Sequence, residues 1–548
     1  MSYQSRLKQY FSERDRAWIL LMLVAASMVY LPFINNPFIF DDLNFFATSA
    51  IGTYSNNGFD LSLRWLPYAS LGRLYTVFSD EFPHIYRLCN LLLHFVNTVL
   101  IFYFLRHLIA ASMIKGVEPS WIVRGAWLGA MVFCLHPVAA FAVGYAIQIS
   151  ILMATTFALL MQMAYLRGLL SGEKRWFVLA VIAYFLACFS KEHSVLTPAI
   201  LVAMGLLVHT DHRVDRRVLG LTWLAFIAIA VLVTLRARGV FGSPYEPMAA
   251  QLFVQQGIAE TDAPMLHLLS ALTQAGLFFK YLFLWILPDP SLMSIDMRES
   301  FSVSASAWQN WIGGIAFVLY GVLGTKWLLR GGLIGMAGFA MLYPWLQFWV
   351  EMVGIRVQEP FVLYRSYLWM PGMMLFFPLL LAKLSERKSL LTVISLVIVL
   401  VPLTWGRLWV FADQYRLWNE AAILLKNERE LGADRIFYNR GQAEMAQKKW
   451  EAASLDFKRS ADISPQLEPI HYALGWAYFN LGRLDDALAQ FDTAITIKPD
   501  DDRAYFGKGL TLKRMHRDKE SMQQMELSCK LKNAFACLIV SLPNRNRK

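Results

Sequence analysis

Five cysteines in 548 residues are too few for a disulfide-built scaffold. Three of them, Cys89, Cys134 and Cys188, fall inside apolar runs and read as packing residues. Charge is sparse as well: Asp, Glu, Lys and Arg make up 17% of the chain, against 57% hydrophobic residues. With a mean hydropathy of +0.42, this excludes an ordinary soluble globule and points to a polytopic membrane protein. No small-residue cleavage site follows the first apolar run, Trp18 to Phe33, so that run is expected to stay as a signal anchor. Basic residues are nearly missing from alternate short loops such as 141–145. The net charge of +11 therefore reads as positive-inside loops, not as a nucleic-acid surface.

Eleven spans are expected, at 17–34, 86–108, 122–140, 146–166, 176–190, 195–209, 218–236, 307–327, 331–348, 366–383 and 389–410. Arg6, Lys8, Arg14 and Arg16 precede the first. Lys115 and Arg124, Arg167 and Arg175, Arg213 and Arg217, Lys326 and Arg330, and Lys383 and Arg387 fall on the same side. That sorting puts the N-terminus in the cytoplasm. An odd number of spans puts the C-terminus outside, together with Asp41 and Asp42. Residues 266–287 contain His267 and Lys280 and end at Pro288-Asp289-Pro290. They are expected to form an interfacial or re-entrant helix on the outer face, with Lys280 snorkelling to the headgroups. The membrane domain thus covers 1–410, with outer loops at 36–85 and 237–306.

Chemistry concentrates at the outer mouths of the spans. Asp41 and Asp42 sit where the first span emerges, flanked by Phe38, Phe40, Phe45 and Phe46. The simpler reading is a solvated, helix-capping pair; the functional one is a general base. In the second span Arg87, Asn90, His94 and Asn97 recur at three or four residues and share a face. They serve either interhelical hydrogen bonds or a site. His136-Pro137 closes the third span, and Ser190-Lys191-Glu192-His193 the fifth. Lys191 is a cation in an outer loop where the charge rule expects none, so it needs a partner, and an anionic ligand is one candidate. Arg365 stands at the mouth of the tenth span. Arg64, Trp65, Tyr68, Arg73 and Tyr75 suggest an interfacial helix in the first outer loop.

After Arg407 the membrane pattern stops, and residues 411–548 repeat with a period of 34. Gly441, Gly475 and Gly509 share a register. So do Ala453, Ala487 and Ser521; Phe457, Phe491 and Met525; and Pro465, Pro499 and Asn533. This is the tetratricopeptide (TPR) pattern of paired helices. About three repeats are present, near the minimum that buries a continuous core. Ser528 to Cys537 resembles the cysteine-containing Sel1-type helical repeats. That resemblance implies that Cys529 and Cys537 staple two antiparallel helices, with independent free thiols as the alternative. An extracytoplasmic location would permit the bond.

Several segments occur in one order along the chain: Phe40-Asp41-Asp42, Arg64-Trp65-Leu66-Pro67, Asn90 to Asn97, His136-Pro137-Val138, Ser190-Lys191-Glu192, Tyr364 to Leu368 and Trp418-Asn419-Glu420. With the repeats, they resemble the transmembrane-and-tetratricopeptide O-mannosyltransferase-like proteins, a branch of the GT-C glycosyltransferases. Tyr364 stands where that family usually carries glutamate before the arginine, and Phe141 and Gln148 where it often carries Glu or Arg. The resemblance implies an all-α GT-C bundle with a C-terminal extracytoplasmic TPR solenoid. It also implies inverting transfer of a sugar from a polyprenyl phosphate to an exported acceptor, most often a protein Ser or Thr hydroxyl. Asp41 or Asp42 would be the base. Lys191, Arg365, His136 and Arg87 would hold the donor phosphate, and Glu192, His94 and Arg64 would support the site or the acceptor.

No cofactor is assigned beyond the polyprenyl-phosphate sugar as donor substrate, and no metal site, although two adjacent carboxylates also admit a divalent metal. The partners would be the lipid bilayer, the lipid-linked donor and an acceptor protein recruited by the repeats, with no nucleic acid. The location would be a bacterial inner membrane with periplasmic repeats, or the endoplasmic reticulum with lumenal repeats in a eukaryote. Two rivals are a non-catalytic membrane scaffold displaying the repeats and a GT-C enzyme acting on a glycan or lipid. A secondary transporter is disfavoured, because no paired halves carry matching broken spans.

Overall fold

Apolar segments in this chain become helices because a helix pairs its backbone N–H and C=O groups within itself, so that apolar side chains can be buried without orphaned backbone groups. The computed structural model describes residues 14–47, 50–56, 60–112, 119–208, 214–237, 263–302, 304–356, 359–381, 386–428, 430 and 432–541. Among them there is no β-strand. Arg6, Lys8, Lys115, Arg213 and Lys383, used above to orient the chain, and residues 238–262 of the second outer loop lie outside the described residues. The chain divides into two compact units: residues 1–295 with 300–413, and residues 296–299 with 414–548.

In the first unit, eight helices among the described residues are long and apolar enough to cross a membrane: Asp15–Phe33, Pro83–Ala111, Ala146–Ser171, Arg216–Arg236, Met265–Ile286, Trp308–Leu328, Gly332–Val353 and Leu391–Val410. Trp121–Leu135, Glu192–Leu207 and Pro371–Leu380 are shorter apolar helices. Two expectations change. Met265–Ile286, expected to lie at the interface, is a helix of 22 residues and so has spanning length. Of residues 366–383, expected to span, the described part to Leu381 is broken into the short turns Leu363–Leu368 and Pro371–Leu375 and the short helix Phe376–Leu381. Pro371 has no N–H to carry a helical ladder onward. The chain after Leu135 also leaves the helix at His136, and two short helical turns, Ala140–Val143 and Ala146–Gln148, lead into Ile149–Ser171.

The Pro83–Ala111 helix is the bundle's polar spine. His94 bridges the Tyr367 hydroxyl at 2.7 Å and the Cys134 carbonyl at 3.0 Å. Asn97 donates to the Leu152 carbonyl at 3.0 Å and accepts from Thr156 at 2.7 Å. Such bonds are modest individually, yet a buried polar group without a partner would cost about 1–3 kcal/mol.

The second unit is a series of helix pairs. Ala433–Ala446 pairs with Trp450–Ile463, Glu468–Leu481 with Leu484–Ile497, and Asp502–Arg514 with Asp518–Lys530. The glycine register explains the close approach within each pair. A Cβ at Gly441 would sit 2.8 Å from Phe457, one at Gly475 2.9 Å from Phe491, and one at Gly509 2.9 Å from Met525. Phe457 and Phe491 are fully buried between the helices. Cys529 and Cys537 form a disulfide with Cα atoms 4.6 Å apart, joining Asp518–Lys530 to Ala534–Ser541.

Candidate functional site

The site grows from a strained turn. Phe40 adopts a left-handed φ of 51°, which costs a bulky residue about 1–2 kcal/mol. That turn lets Asp41 and Asp42 open the helix Asp41–Ala47. Asp42 is fully buried. Its carboxylate accepts the backbone N–H groups of Ile147 at 2.8 Å, Ala146 at 3.1 Å and Ile39 at 3.4 Å. Asp42 thereby pins the start of the 146–171 helix to the acidic turn. Burial pushes its pKa up to about 7, against the pull of Arg87 and the three N–H groups.

Asp41 is half-buried and lies beside two phenols. Its N–H donates to the Tyr145 hydroxyl at 2.7 Å. Burial first, and then the charges of Asp41 and Asp42, raise the Tyr145 pKa well above its ordinary value, so the phenol keeps its proton. The Tyr145 and Tyr364 rings are 6.1 Å apart. On from Tyr364, the Lys191 Nζ sits 5.0 Å from the ring centroid, within cation–π range.

Lys191 is buried, with Gln148 Oε1 and Ser150 Oγ each 3.4 Å from its Nζ. Among the described residues, no carboxylate lies within ion-pair distance of it. Burial, and then the nearby Arg64, bring its pKa down to about 7, while Glu192 opposes the fall. A cation so placed is costly to leave unpartnered.

The other cations around Lys191 are paired. Arg64, held at a φ of 60°, grips Glu192 with two bonds, Nε to Oε2 at 2.9 Å and a second from the other guanidinium arm. Burial works against ionisation of Glu192, and Arg64 overcomes it, holding the carboxyl well below the usual range. Glu351 takes His193 at 2.9 Å on one oxygen, and Arg365 at 3.2 Å and Arg356 at 3.5 Å on the other. Burial opposes the Arg365 charge, and Glu351 more than restores it. Arg64, Lys191, Arg356 and Arg365 thus stand among Asp41, Glu192, Glu351 and Glu359, and Lys191 is the one of these four cations with no carboxylate at ion-pair distance among the described residues.

Three residues expected on the donor or acceptor are engaged elsewhere. The Arg87 guanidinium donates to the Gly144 carbonyl at 3.3 Å and to the Pro37 carbonyl, bracing the acidic turn from behind. His136 stacks on Trp285, with centroids 4.4 Å apart and an interplanar angle of 16°, and accepts the Val138 N–H at 3.3 Å. His94 is spent on the spine contacts above. Conversely, Tyr145, His193 and Glu351 belong to the cluster although sequence reasoning gave them no role. Only His193 had a local signal, its place beside Lys191 and Glu192. Among the described residues, no three His, Cys, Asp or Glu side chains are arranged to hold a metal.

Comparison with known proteins speaks to the second unit. A family model described as a TPR repeat matches residues 476–515. No curated protein sequence matches the chain. Similar solved structures include the first TPR of Spaghetti bound to an HSP90 peptide, at 18% identity over 20% of this chain and 86% of that one, with a TM-score of 0.19. YrrB, described as a TPR protein with an unusual peptide-binding site, matches at 17% identity over 29% of this chain and 86% of its own, with a TM-score of 0.22. The Cut9–Hcn1 heterotetramer of the APC/C matches at 11% identity over 98% and 97% of the two chains, with a TM-score of 0.23. Likenesses at such scores carry no argument. What stands is an all-helical chain that contains a TPR repeat and has eight described helices with the length and apolarity to cross a membrane.

Proposed function

We propose that the chain is an integral membrane glycosyltransferase of GT-C type, passing a sugar from a polyprenyl phosphate to an exported protein. The observation that carries this reading is Lys191: a buried cation with no carboxylate at ion-pair distance among the described residues, reached from Asp41 across Tyr145 and Tyr364. In the proposed step Asp41 takes the proton of an acceptor Ser or Thr hydroxyl as its oxygen attacks the anomeric carbon. The bond from that carbon to the phosphate oxygen breaks on the opposite face, giving inversion. Lys191 receives the developing phosphate charge, with Arg365 beside it. Asp42 and Arg87 hold the turn, and Arg64–Glu192 orients Lys191. In this reading the N-terminus lies in the cytoplasm and the repeats outside, where they hold the acceptor and raise its effective concentration.

The test is transfer from a synthetic polyprenyl-phosphate sugar to a hydroxyl peptide by purified full-length protein. Activity in the wild type that Asp41→Asn removes supports the reading; a folded wild type that transfers nothing from any such donor overturns it. A second reading, a membrane-anchored scaffold, is favoured by the TPR match at 476–515. It requires that Asp41→Asn leave the cellular phenotype unchanged at normal protein level.

A further inference from the structure

Between the Trp308–Leu328 and Gly332–Val353 helices lies a cavity of about 710 Å³, within the range of small-molecule pockets. Val318, Val322, Leu329, Trp345 and Trp349 line it. The first three recur at four and seven residues, so they form one stripe, and all three are exposed. Gly321 sets the depth of the trough, because a Cβ there would collide with the Trp345 ring. The Trp345 indole N–H is already given to the Phe317 carbonyl at 2.9 Å. The ring therefore shows the cavity only its apolar body.

One end of the trough differs. Lys326 and Arg330 also line it, four residues apart, and both are exposed. Among the described residues, neither is in an ion pair. Cations at a helix C-terminus complement its dipole, which accounts for their sign but not for the apolar trough beside them. The combination is complementary to a lipid phosphate followed by hydrocarbon. From Val318 to Leu329 the stripe runs about 16 Å, at 1.5 Å per residue. That is the reach of one acyl chain and far less than that of a polyprenyl chain.

We propose that this groove binds one anionic phospholipid, with its headgroup phosphate between Lys326 and Arg330 and an acyl chain along Val318 and Val322. The inference is independent of the transfer reaction. Native mass spectrometry of the full-length protein, titrated with phosphatidylglycerol, phosphatidylcholine or a polyprenyl phosphate, tests it. The wild type should hold phosphatidylglycerol about tenfold more strongly than phosphatidylcholine, since each basic residue near an anionic surface contributes several-fold. Lys326→Ala with Arg330→Ala should erase that preference. Val322→Trp keeps both charges and fills the trough, so it should cut retention of both phospholipids. Equal retention of the two phospholipids by the wild type overturns the proposal. So does undiminished phosphatidylglycerol retention in either variant, or displacement of phosphatidylglycerol by equimolar polyprenyl phosphate.

Discussion

The two units obey different rules. In the repeat unit each packing position recurs every 34 residues, so one contact explains three: Gly441 on Phe457, Gly475 on Phe491, Gly509 on Met525. The candidate site of the first unit is built differently. Asp41, Tyr145, Lys191, Glu351 and Tyr364 come from five separate stretches, and each makes a contact found once. A periodic unit spreads its stability over many equivalent contacts, whereas a site concentrates function in a few side chains.

The sharpest way to break that contrast is the acidic pair. If the site is concentrated, Asp41→Asn should slow transfer about 10²–10⁴-fold, the usual cost of a lost general base, with folding intact. Asp42→Asn should act through folding, because its carboxylate accepts three backbone N–H groups. Melting in detergent beside a transfer assay separates the two. Loss of rate in Asp42→Asn alone, at unchanged stability, would reverse the roles.

On the repeat side, Phe491→Ala should be felt locally. Phe491 is fully buried against Ala473, Ala477 and Ala487, and such truncations cost about 3–5 kcal/mol. Hydrogen exchange on the full-length protein should show faster exchange in Glu468–Leu481 and Leu484–Ile497. Unchanged protection there would mean that the repeats do not share their core as their period implies.

The Lys191 charge gives a finer test. With its pKa near 7, the ammonium is largely present below that pH and lost above it. Phosphate affinity for the donor should therefore fall about tenfold as pH rises from 6 to 8. Lys191→Arg, which stays charged, should flatten the profile. A wild-type profile that is already flat would remove Lys191 from the phosphate site.

This contrast also explains what could be read from the chain before its structure. The 34-residue register named the repeat helices and their buried residues, because the same physical requirement is written several times. Lys191 was legible because one outer-loop cation broke the charge sorting. Tyr145 and Glu351 had no such signal: a loop tyrosine and a glutamate at a helix end are ordinary until the fold brings them to Asp41 and Arg365. Arg87 and His136 misled for the converse reason. Their types suit a phosphate, yet carbonyls and an indole already occupy them. The break within 366–381 was hidden because the apolar composition of that stretch outweighed the signal of Pro371.

The smallest expected effect lies in the repeat turns. Lys448, Gly482 and His516 stand 34 residues apart, each between the helices of a pair, with φ of 59°, 77° and 60°. The bonds repeat too. Each of these residues donates its N–H three residues back, to Met445, Phe479 and Lys513, and the next residue donates five back, to Glu444, Tyr478 and Leu512. This is the Schellman arrangement, which requires a left-handed residue and favours glycine. Lys448 and His516 therefore carry strain that Gly482 does not. His516→Gly removes the Cβ penalty but adds freedom to the unfolded chain, so the gain should be below about 1 kcal/mol. Gly482→Ala should cost about 1 kcal/mol, since the same turn must then hold a side chain. Both substitutions are open to solvent or meet nothing within 4 Å, so backbone strain alone sets the sign. Opposite shifts in local hydrogen exchange would support equivalence of the turns, while stabilisation by Gly482→Ala would show that the middle repeat is held by something other than the period.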